Sequence, residues 1–238
     1  MSELKYPRIL LKLSGEQFRG NREHGIDPEF VGWLAEEVKK VTALGTQVVI
    51  VVGGGNLVRG ESFAKNGIER ATADYMGMMA TIMNGMALTD MLEQAGQPTR
   101  LMTRLHVESV AEPYIRRKGL RHLEKGRVVV VAGGTGNPYV TTDTASLLAA
   151  SELECDAVLK ATKVDGVYNK DPETNDNAVK FDTLTLKEAL ENPEVRVMDK
   201  SAMAMAIEQD LPIVVFDLMS EGNVAKVVAG ETVGTIVS

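Results

Sequence analysis

The chain alternates between short apolar runs and longer stretches in which apolar residues recur every three or four positions. A short run without a polar face is typical of a strand buried on both sides, whereas the longer recurrence is typical of a helix with one buried face. Strands are predicted within residues 8–13, 47–56, 100–103, 127–143, 156–166 and 213–216. The C-terminal residues 231–238 could add an edge strand.

The stretches between these strands predict helices. The first begins at Asp27 and Pro28, a capping residue followed by proline, and continues to Gly45. A methionine-rich helix is predicted over 68–95, where such residues usually fill irregular packing or a contact between helices. Further helical patterns cover 107–126, 144–153, 184–190 and a segment that begins near Asp199. The alternation predicts an α/β fold, with a mainly parallel central sheet and helices on both faces.

Several predicted strands end in turns that contain glycine or lysine. These turns are KLSG at 12–15, GGGN at 53–56, GGTGNPYVTTD at 133–143 and KATKVDG at 160–166. Glycine lets the backbone turn tightly, and the N–H groups of such turns can bind anions. Because the carboxyl ends of parallel strands lie at one edge of a sheet, we expect the turns to converge on one ligand crevice. Each turn taken alone would also suit an ordinary glycine-rich connection.

Composition narrows the class of protein. The 238 residues are 44% hydrophobic and 25% charged, as in ordinary folded domains, and the formal net charge of −7 argues against a nucleic-acid-binding surface. Cys155 is the only cysteine, which excludes an intramolecular disulfide, and only three histidines accompany it, which argues against a Cys/His zinc site. The chain start has no signal-peptide pattern, and no run approaches the roughly 18 apolar residues of a membrane helix. We therefore expect a cytoplasmic protein.

The candidate chemistry is phosphoryl transfer. The glycine turns do not match the G-x-G-x-x-G/A of nicotinamide enzymes, no Gly-Lys pair for a P-loop occurs, and no G-x-S-x-G elbow is present. What remains is Lys12 and Lys160 at strand ends and Asp143 at a helix start. Phosphoryl transfer requires in-line positioning and positive charge around the phosphoryl oxygens, which separate lysines, loop N–H groups and Mg²⁺ can supply.

Five segments, in order along nearly the whole chain, resemble the bacterial uridylate (UMP) kinases of the amino acid kinase superfamily. They are KLSG at 12–15, GGGNLVRG at 53–60, DYMGMMATIMN at 74–84, GTGNPYVTTD at 134–143 and KATKVDGVYNKDP at 160–172. The resemblance implies one domain, 1–238, folded as a three-layer α/β/α sandwich, with an acceptor-binding part over about 1–140 and an ATP-binding part over about 141–238. It also implies transfer of the γ-phosphoryl group of ATP to UMP, giving UDP for pyrimidine nucleotide biosynthesis.

The resemblance also implies roles for individual residues. Lys12 and Lys160 would stabilise the transferring phosphoryl group, and Asp143 would orient the lysines and help to organise Mg²⁺, which is carried with ATP rather than held by a dedicated protein site. The residues expected to bind ATP are Lys12, Leu13, Ser14, Gly15, Gly55, Arg59, Thr162, Tyr168 and Asp171. Those expected to bind UMP are Gly54, Asp74, Thr135, Gly136, Asn137, Pro138, Tyr139, Val140, Thr141 and Thr142, with Asp74 serving the ribose hydroxyls.

Assembly and regulation follow from the same resemblance. It implies a homohexamer in which the methionine-rich helix forms a dimer contact, and inhibition by UTP through the UMP pocket. The expected effector region comprises Gly20, Asn21, Arg22, Glu23, His24, Gly25, Arg100 and Arg127. Charged or small residues stand there where aromatic and histidine residues are expected, so the response to GTP is left open. Two alternatives also remain open: an amino acid or carbamate kinase of the superfamily, and a nucleotide-binding or storage protein without turnover.

Overall fold

The computed structural model describes residues 4–58, 63, 67–172, 174–175 and 177–238. Its strands are β1 (Arg8–Leu13), β2 (Gln47–Val52), β3 (Thr99–Thr103), β4 (Glu112–Pro113), β5 (Val128–Ala132), β6 (Ala157–Thr162), β7 (Val167–Tyr168), β8 (Lys180–Phe181), β9 (Thr183–Leu184), β10 (Ile213–Asp217) and β11 (Thr235–Val237). Within the described residues, nine strands form one sheet in the order β4-β3-β5-β2-β1-β6-β10-β11-β9, and β7 pairs with β8. The sheet is parallel except for the β10–β11 pair.

Helices cover both faces of the sheet. They are α1 (Pro28–Ala43), α2 (Arg70–Gln94), α3 (Arg116–Glu124), α4 (Thr142–Glu152), α5 (Leu186–Glu191), α6 (Lys200–Glu208) and α7 (Asn223–Ala229). Helices α1, α2 and α7 pack together on one face, and α4, α5 and α6 pack together on the other. Among the described residues, none of the helices combines the length and the apolar character that a membrane crossing requires.

Successive residues of the central strands enter two separate cores. In β1, Ile9 and Leu11 belong to the core under α1, α2 and α7, whereas Leu10 belongs to the core under the opposite helices. All three side chains are fully buried. Burial on both faces is the reason that these strands appear in the sequence as unbroken apolar runs. The predicted three-layer sandwich with a mainly parallel sheet is confirmed.

Local signals set several helix starts. The side chain of Asp27 accepts a hydrogen bond from the Glu29 N–H at 3.1 Å, and Pro28 occupies the first helical position, where its missing N–H costs nothing. Helix α1 begins there as predicted. The methionine-rich helix is also confirmed as α2, although its first residue, Arg70, lies two positions after the predicted start at 68.

Three predictions near the chain ends and edges were wrong or incomplete. Only Arg116–Glu124 is helical in the stretch 107–126, because Glu112–Pro113 forms an edge strand, a position that tolerates a proline without an N–H donor. The C-terminal strand is not at the edge: Thr235–Val237 lies between β10 and β9. Helix α7 over Asn223–Ala229 was not predicted.

Candidate functional site

The glycine turns after β1 and β2 meet at the carboxyl edge of the sheet. Strands β5, β2, β1 and β6 are consecutive and parallel, so their exits share this edge. At Gly15, an added Cβ would lie 2.4 Å from the Gly55 nitrogen and 2.8 Å from the Gly54 nitrogen. Only a residue without a side chain allows the two turns to approach so closely. The predicted convergence is therefore present for the turns after β1 and β2.

A cluster of Lys12, Asp143 and Lys160 lies at the centre of this edge. Lys12 and Lys160 are register partners on neighbouring strands β1 and β6. Asp143 is in the first turn of α4, whose start is fixed by Thr141: the Thr141 hydroxyl accepts a hydrogen bond from the Asp143 N–H at 3.1 Å. The Lys12 Nζ lies 2.6 Å from Asp143 Oδ1, and the Lys160 Nζ lies 3.3 Å from Asp143 Oδ2. One carboxylate thus bridges two ammonium groups.

Burial and charge shift the pKa values of this cluster. Burial alone would raise the pKa of Asp143, but the positive charges of Lys12 and Lys160 together outweigh it, and the pKa is lowered. The pKa of Lys160 is lowered because burial disfavours its ammonium form; the charge of Asp143 opposes this shift, and repulsion by Lys12 adds to it. With both lysines protonated the cluster has a surplus of positive charge, which suits the oxygens of a phosphoryl group.

A pocket of about 230 Å³ opens on one side of the cluster, between the β2 turn, α2 and the start of α4. Five residues predicted to bind the acceptor line it: Gly54, Asp74, Val140, Thr141 and Thr142. Gly55, which was predicted to bind ATP, lines this pocket as well. The other lining residues, none of which was predicted to bind a substrate, are Val58, Arg70, Ala73, Gly77, Met78, Thr81 and Gly134. The lining combines glycine backbone, hydroxyls, one carboxylate and one guanidinium, so it offers both donors and acceptors to a small polar ligand.

Asp74 holds the wall of this pocket in place. Its Oδ2 accepts a hydrogen bond from the Tyr139 N–H at 2.8 Å, and its two oxygens accept from the Arg70 Nε at 2.8 and 2.9 Å. Tyr139 has a φ of +67°, a left-handed conformation that is costly for a residue with a side chain. The hydrogen bond from the Tyr139 N–H to Asp74 helps to stabilise this strained turn. The remaining predicted wall residues, 135–138, form the turn that precedes Tyr139.

A second pocket, of about 390 Å³, lies on the opposite side of the cluster, beyond the end of β6. Tyr168 and Asp171, both predicted to bind ATP, line it together with Lys170. Arg196 also lines this pocket and was not singled out from the sequence. The Lys160 ammonium donates a hydrogen bond to the carbonyl of the adjacent residue, Val197, which joins the pocket to the cluster.

Other residues predicted to bind ATP lie at strand ends. Lys12 and Leu13 end β1, and Ser14 caps the following short 3₁₀ helix, Gly15–Arg19. Thr162 ends β6, where its hydroxyl donates to the Val164 carbonyl at 2.6 Å. Arg59, the remaining predicted residue of this set, lies outside the described residues.

Asp199 is a further residue of the cluster's surroundings whose contacts the sequence did not reveal. It was predicted only as a helix start, and it does cap α6 by accepting from the Ala202 N–H at 2.9 Å. Its carboxylate also accepts from Thr144 at 3.0 Å and from the Thr141 hydroxyl. Asp199 therefore links the start of α6 to the start of α4. The linked residues are more than 50 positions apart, so no local sequence pattern indicates the contact.

The residues predicted to form an effector region do not come together within one chain. Gly20 and Asn21 line a pocket of about 530 Å³ beside Trp33. Arg100 lies at another pocket, where it contacts Glu93 at 3.1 Å and Glu112 at 3.8 Å. Arg127 lies at a third pocket, where its Nη1 is 3.0 Å from His122 Nδ1.

The described residues include no group of three or more His, Cys, Asp or Glu side chains that could hold a metal ion. Both oxygens of Asp143, the carboxylate of the central cluster, are already in contact with lysine ammonium groups. A divalent cation at this edge would therefore need most of its oxygen ligands from a bound phosphate and from water, which is the usual mode for Mg²⁺.

Comparison with known proteins gives a consistent result over nearly the whole chain. Residues 7–217 match the amino acid kinase family. The crystal structure of UMP kinase from Bacillus anthracis superposes with a TM-score of 0.94 at 36% identity, covering 98% of this chain and 96% of that one. UMP kinase from Ureaplasma parvum gives 0.91 at 33% identity, covering 98% and 99%. Uridylate kinase from Archaeoglobus fulgidus gives 0.75 at 29% identity, covering 97% and 99%.

Proposed function

The chain belongs to the amino acid kinase family, and we propose that it is a UMP kinase, which transfers the γ-phosphoryl group of ATP to UMP and gives UDP and ADP for pyrimidine nucleotide biosynthesis. The observation that carries this proposal is the Lys12–Asp143–Lys160 cluster between two pockets at the carboxyl edge of the sheet. The likeness to solved UMP kinases over almost the full length supports UMP as the acceptor.

In the proposed reaction, ATP occupies the pocket that contains Tyr168 and Asp171, and UMP occupies the pocket that contains Asp74. A phosphate oxygen of UMP attacks the γ-phosphorus in line, and the bond between that phosphorus and the β,γ-bridging oxygen breaks. Lys12 and Lys160 stabilise the charge on the transferring group, while Asp143 holds both ammonium groups in position. Mg²⁺ carried with ATP would neutralise charge on the β- and γ-phosphates.

The proposal divides the chain into an acceptor-binding part, about 1–140, and an ATP-binding part, about 141–238, within one domain. Thr141 and Thr142 lie at the boundary, where α4 begins. Gly54, Asp74 and the wall 135–142 would bind UMP, and Gly55, Thr162 and the turn after β1 would bind ATP. The two pockets on either side of Asp143 support this division, although Gly55 lines the pocket proposed for UMP.

An acceptor panel tests the proposal. Purified protein with ATP and Mg²⁺ is offered UMP, CMP, glutamate, aspartate and carbamate at equal concentration, and ADP release is measured. We expect UMP to be phosphorylated well above the others, and activity to disappear when the metal is chelated. Preferred turnover of an amino acid or carbamate would favour the alternative kinase. Nucleotide binding without turnover of any acceptor would favour a storage protein.

We also propose a cytoplasmic homohexamer in which α2 forms a contact between subunits. Tyr75, Met79, Met83 and Met86 recur at helical spacing and expose 41–52% of their surface, an unusual apolar stripe for a single chain. The change Met83→Glu should reduce the assembly size measured by light scattering. Val179→Glu places the same charge at an exposed apolar residue off this helix and should not.

We also propose that UTP regulates the protein through the acceptor pocket. UTP shares its base and ribose with UMP, so it should inhibit by competition in the acceptor pocket. The effector region around Gly20–Gly25 would respond to GTP only through a site completed by another subunit. Initial rates at varied UMP, with and without UTP or GTP, measure both effects. Inhibition by UTP that excess UMP does not relieve would contradict the shared pocket.

A further inference from the structure

Two buried asparagines, Asn56 and Asn84, form a reciprocal pair beside the acceptor pocket. Asn56 is in the turn after β2 and is 5% exposed, while Asn84 is on the buried side of α2 and is fully buried. The Asn84 Nδ2 donates to Asn56 Oδ1 at 2.7 Å, and the Asn56 Nδ2 donates to Asn84 Oδ1 at 3.0 Å. A buried amide is costly to leave without a hydrogen-bond partner, so the reciprocal pair is a specific polar contact among buried residues.

Each asparagine uses its second N–H on a backbone carbonyl. The Asn84 Nδ2 donates to the Gly53 carbonyl at 2.7 Å, and the Asn56 Nδ2 donates to the Gly25 carbonyl at 2.8 Å. A carbonyl can only accept, so these two contacts fix which end of each amide carries the nitrogen. All four side-chain N–H groups of the pair are therefore committed, and neither amide can turn without losing a hydrogen bond.

The contact to Gly53 determines the direction of the next N–H group. The described residues contain no cis peptide, so the Gly54 N–H points away from the Gly53 carbonyl and hence away from Asn84. The Gly54 nitrogen lies 2.8 Å from where a Gly15 Cβ would be, and Gly54 lines the acceptor pocket. Within the described part of the chain, no hydrogen-bond acceptor is assigned to this N–H. It is free to bind an anion.

We propose that the Asn56–Asn84 pair is a positioning unit for phosphoryl transfer: it holds the Gly53–Gly54 peptide so that the Gly54 N–H faces the cleft. This inference rests on the proposed function, because it assigns the N–H to phosphate oxygens in the transition state. A donor that is already oriented stabilises the transition state without a reorganisation cost at the moment of reaction. Neither asparagine lines the acceptor pocket.

The pair also joins a distant loop to the same peptide. Besides the contact from Asn56 Nδ2, the Gly25 N–H donates to the Asn56 carbonyl at 3.1 Å. Two hydrogen bonds therefore attach the loop 20–25 to the pair, and one attaches the pair to Gly53. Loss of the pair should release the loop and the glycine turn together, which a role in packing alone would not require.

The test compares Asn84→Asp with a matched change at the other edge of the sheet. At pH 8 the new carboxylate cannot donate to the Gly53 carbonyl and repels it, so the peptide should turn. Gln97→Glu is the control: Gln97 is 8% exposed, and its amide also donates to a backbone carbonyl, that of Gly126 at 3.2 Å, but near the start of β5. Both variants lose a buried amide donor, and only one of them is next to the site.

We expect kcat for UMP to fall on the order of 10- to 100-fold more in Asn84→Asp than in Gln97→Glu, with similar losses of Tm. KM for UMP should change by less than about threefold, since the effect is on the transition state. Deuterium exchange should rise at both 53–56 and 20–25 in Asn84→Asp and at neither in the control. A kcat equal to the control's, or no rise in exchange at 53–56, would overturn the inference.

A second variant covers the case in which Asn84→Asp does not fold. Asn56→Asp removes the donor to Gly25 and to Asn84, and it should raise exchange at the same two segments with a smaller fall in kcat. If neither variant folds while Gln97→Glu does, the pair is a stability element and the inference is wrong. If the unaltered protein does not phosphorylate UMP, the proposed function fails, whereas the exchange comparison still decides whether the pair holds the peptide.

Discussion

The change Asp143→Asn separates the two lysines of the site from the carboxylate that holds them. In the structure this carboxylate lies 2.6 Å from the Lys12 ammonium and 3.3 Å from the Lys160 ammonium, and the three side chains are only 10–19% exposed. Asparagine preserves the shape but not the charge, so two like charges remain buried together. We therefore expect kcat to fall on the order of a hundredfold or more, because the lysines lose their position around the transferring group.

The stability effect can be estimated from the same contacts. Removing one partner of a buried ion pair typically costs about 3–5 kcal/mol, and we expect about 3 kcal/mol here because both ammonium groups keep some solvent contact. The lowered pKa of Asp143 sets the pH range. A carboxyl with a lowered folded pKa contributes stability above its ordinary pKa of about 3.9, and loses that contribution as pH falls through the folded pKa. The stability difference between the two proteins should therefore shrink in acid.

Two measurements and one control check this prediction. Steady-state kinetics with ATP and UMP give kcat and both KM values, and urea unfolding from pH 3 to pH 8 gives the free energy of unfolding. KM for ATP should not rise, since the variant site is more positive. Glu154→Gln, which removes a 59% exposed carboxylate 3.6 Å from Arg8, should change neither quantity much. Turnover within about tenfold of the unaltered protein would show that Asp143 is only a helix-start residue.

Three other changes test neighbouring parts of the site. Asp74→Asn should weaken UMP binding about tenfold or more, measured as Kd by titration calorimetry and as KM by kinetics, because the Tyr139 N–H loses a charged acceptor. Unchanged UMP affinity would contradict the acceptor assignment. Gly54→Ala should destabilise the protein by about 1–3 kcal/mol in denaturant unfolding, since the new Cβ would lie 2.6 Å from the Gly77 carbonyl oxygen. Because the pKa of Lys160 is lowered, kcat should fall with rising pH before the ordinary lysine pKa of 10.5 is reached. Lys160→Arg should have a lower kcat that changes less with pH, because arginine stays protonated. The same fall at alkaline pH in both proteins would show that another group causes it.

Much of the fold could be predicted because its signals are local. Strands buried on both faces appear as apolar runs, and caps such as Asp27 mark helix starts. The ends of β1 and β6 could also be placed at one edge of the sheet, because parallel strands of one sheet end on the same side. The failures have a physical cause as well. The edge strand Glu112–Pro113 is too short to carry a pattern, and its pairing with β3 decides its conformation.

The sequence by itself determined the class of fold, the glycine turns and the lysines at the strand ends, because each depends on residues that are close along the chain. Only the tertiary structure decided that Asp143 lies between Lys12 and Lys160 and that two pockets flank the cluster. It also decided that Asn56 faces Asn84 and that the three parts of the expected effector region lie apart. Those contacts join residues far apart in the chain, and the packing of whole helices against the sheet sets their geometry, which no local pattern records.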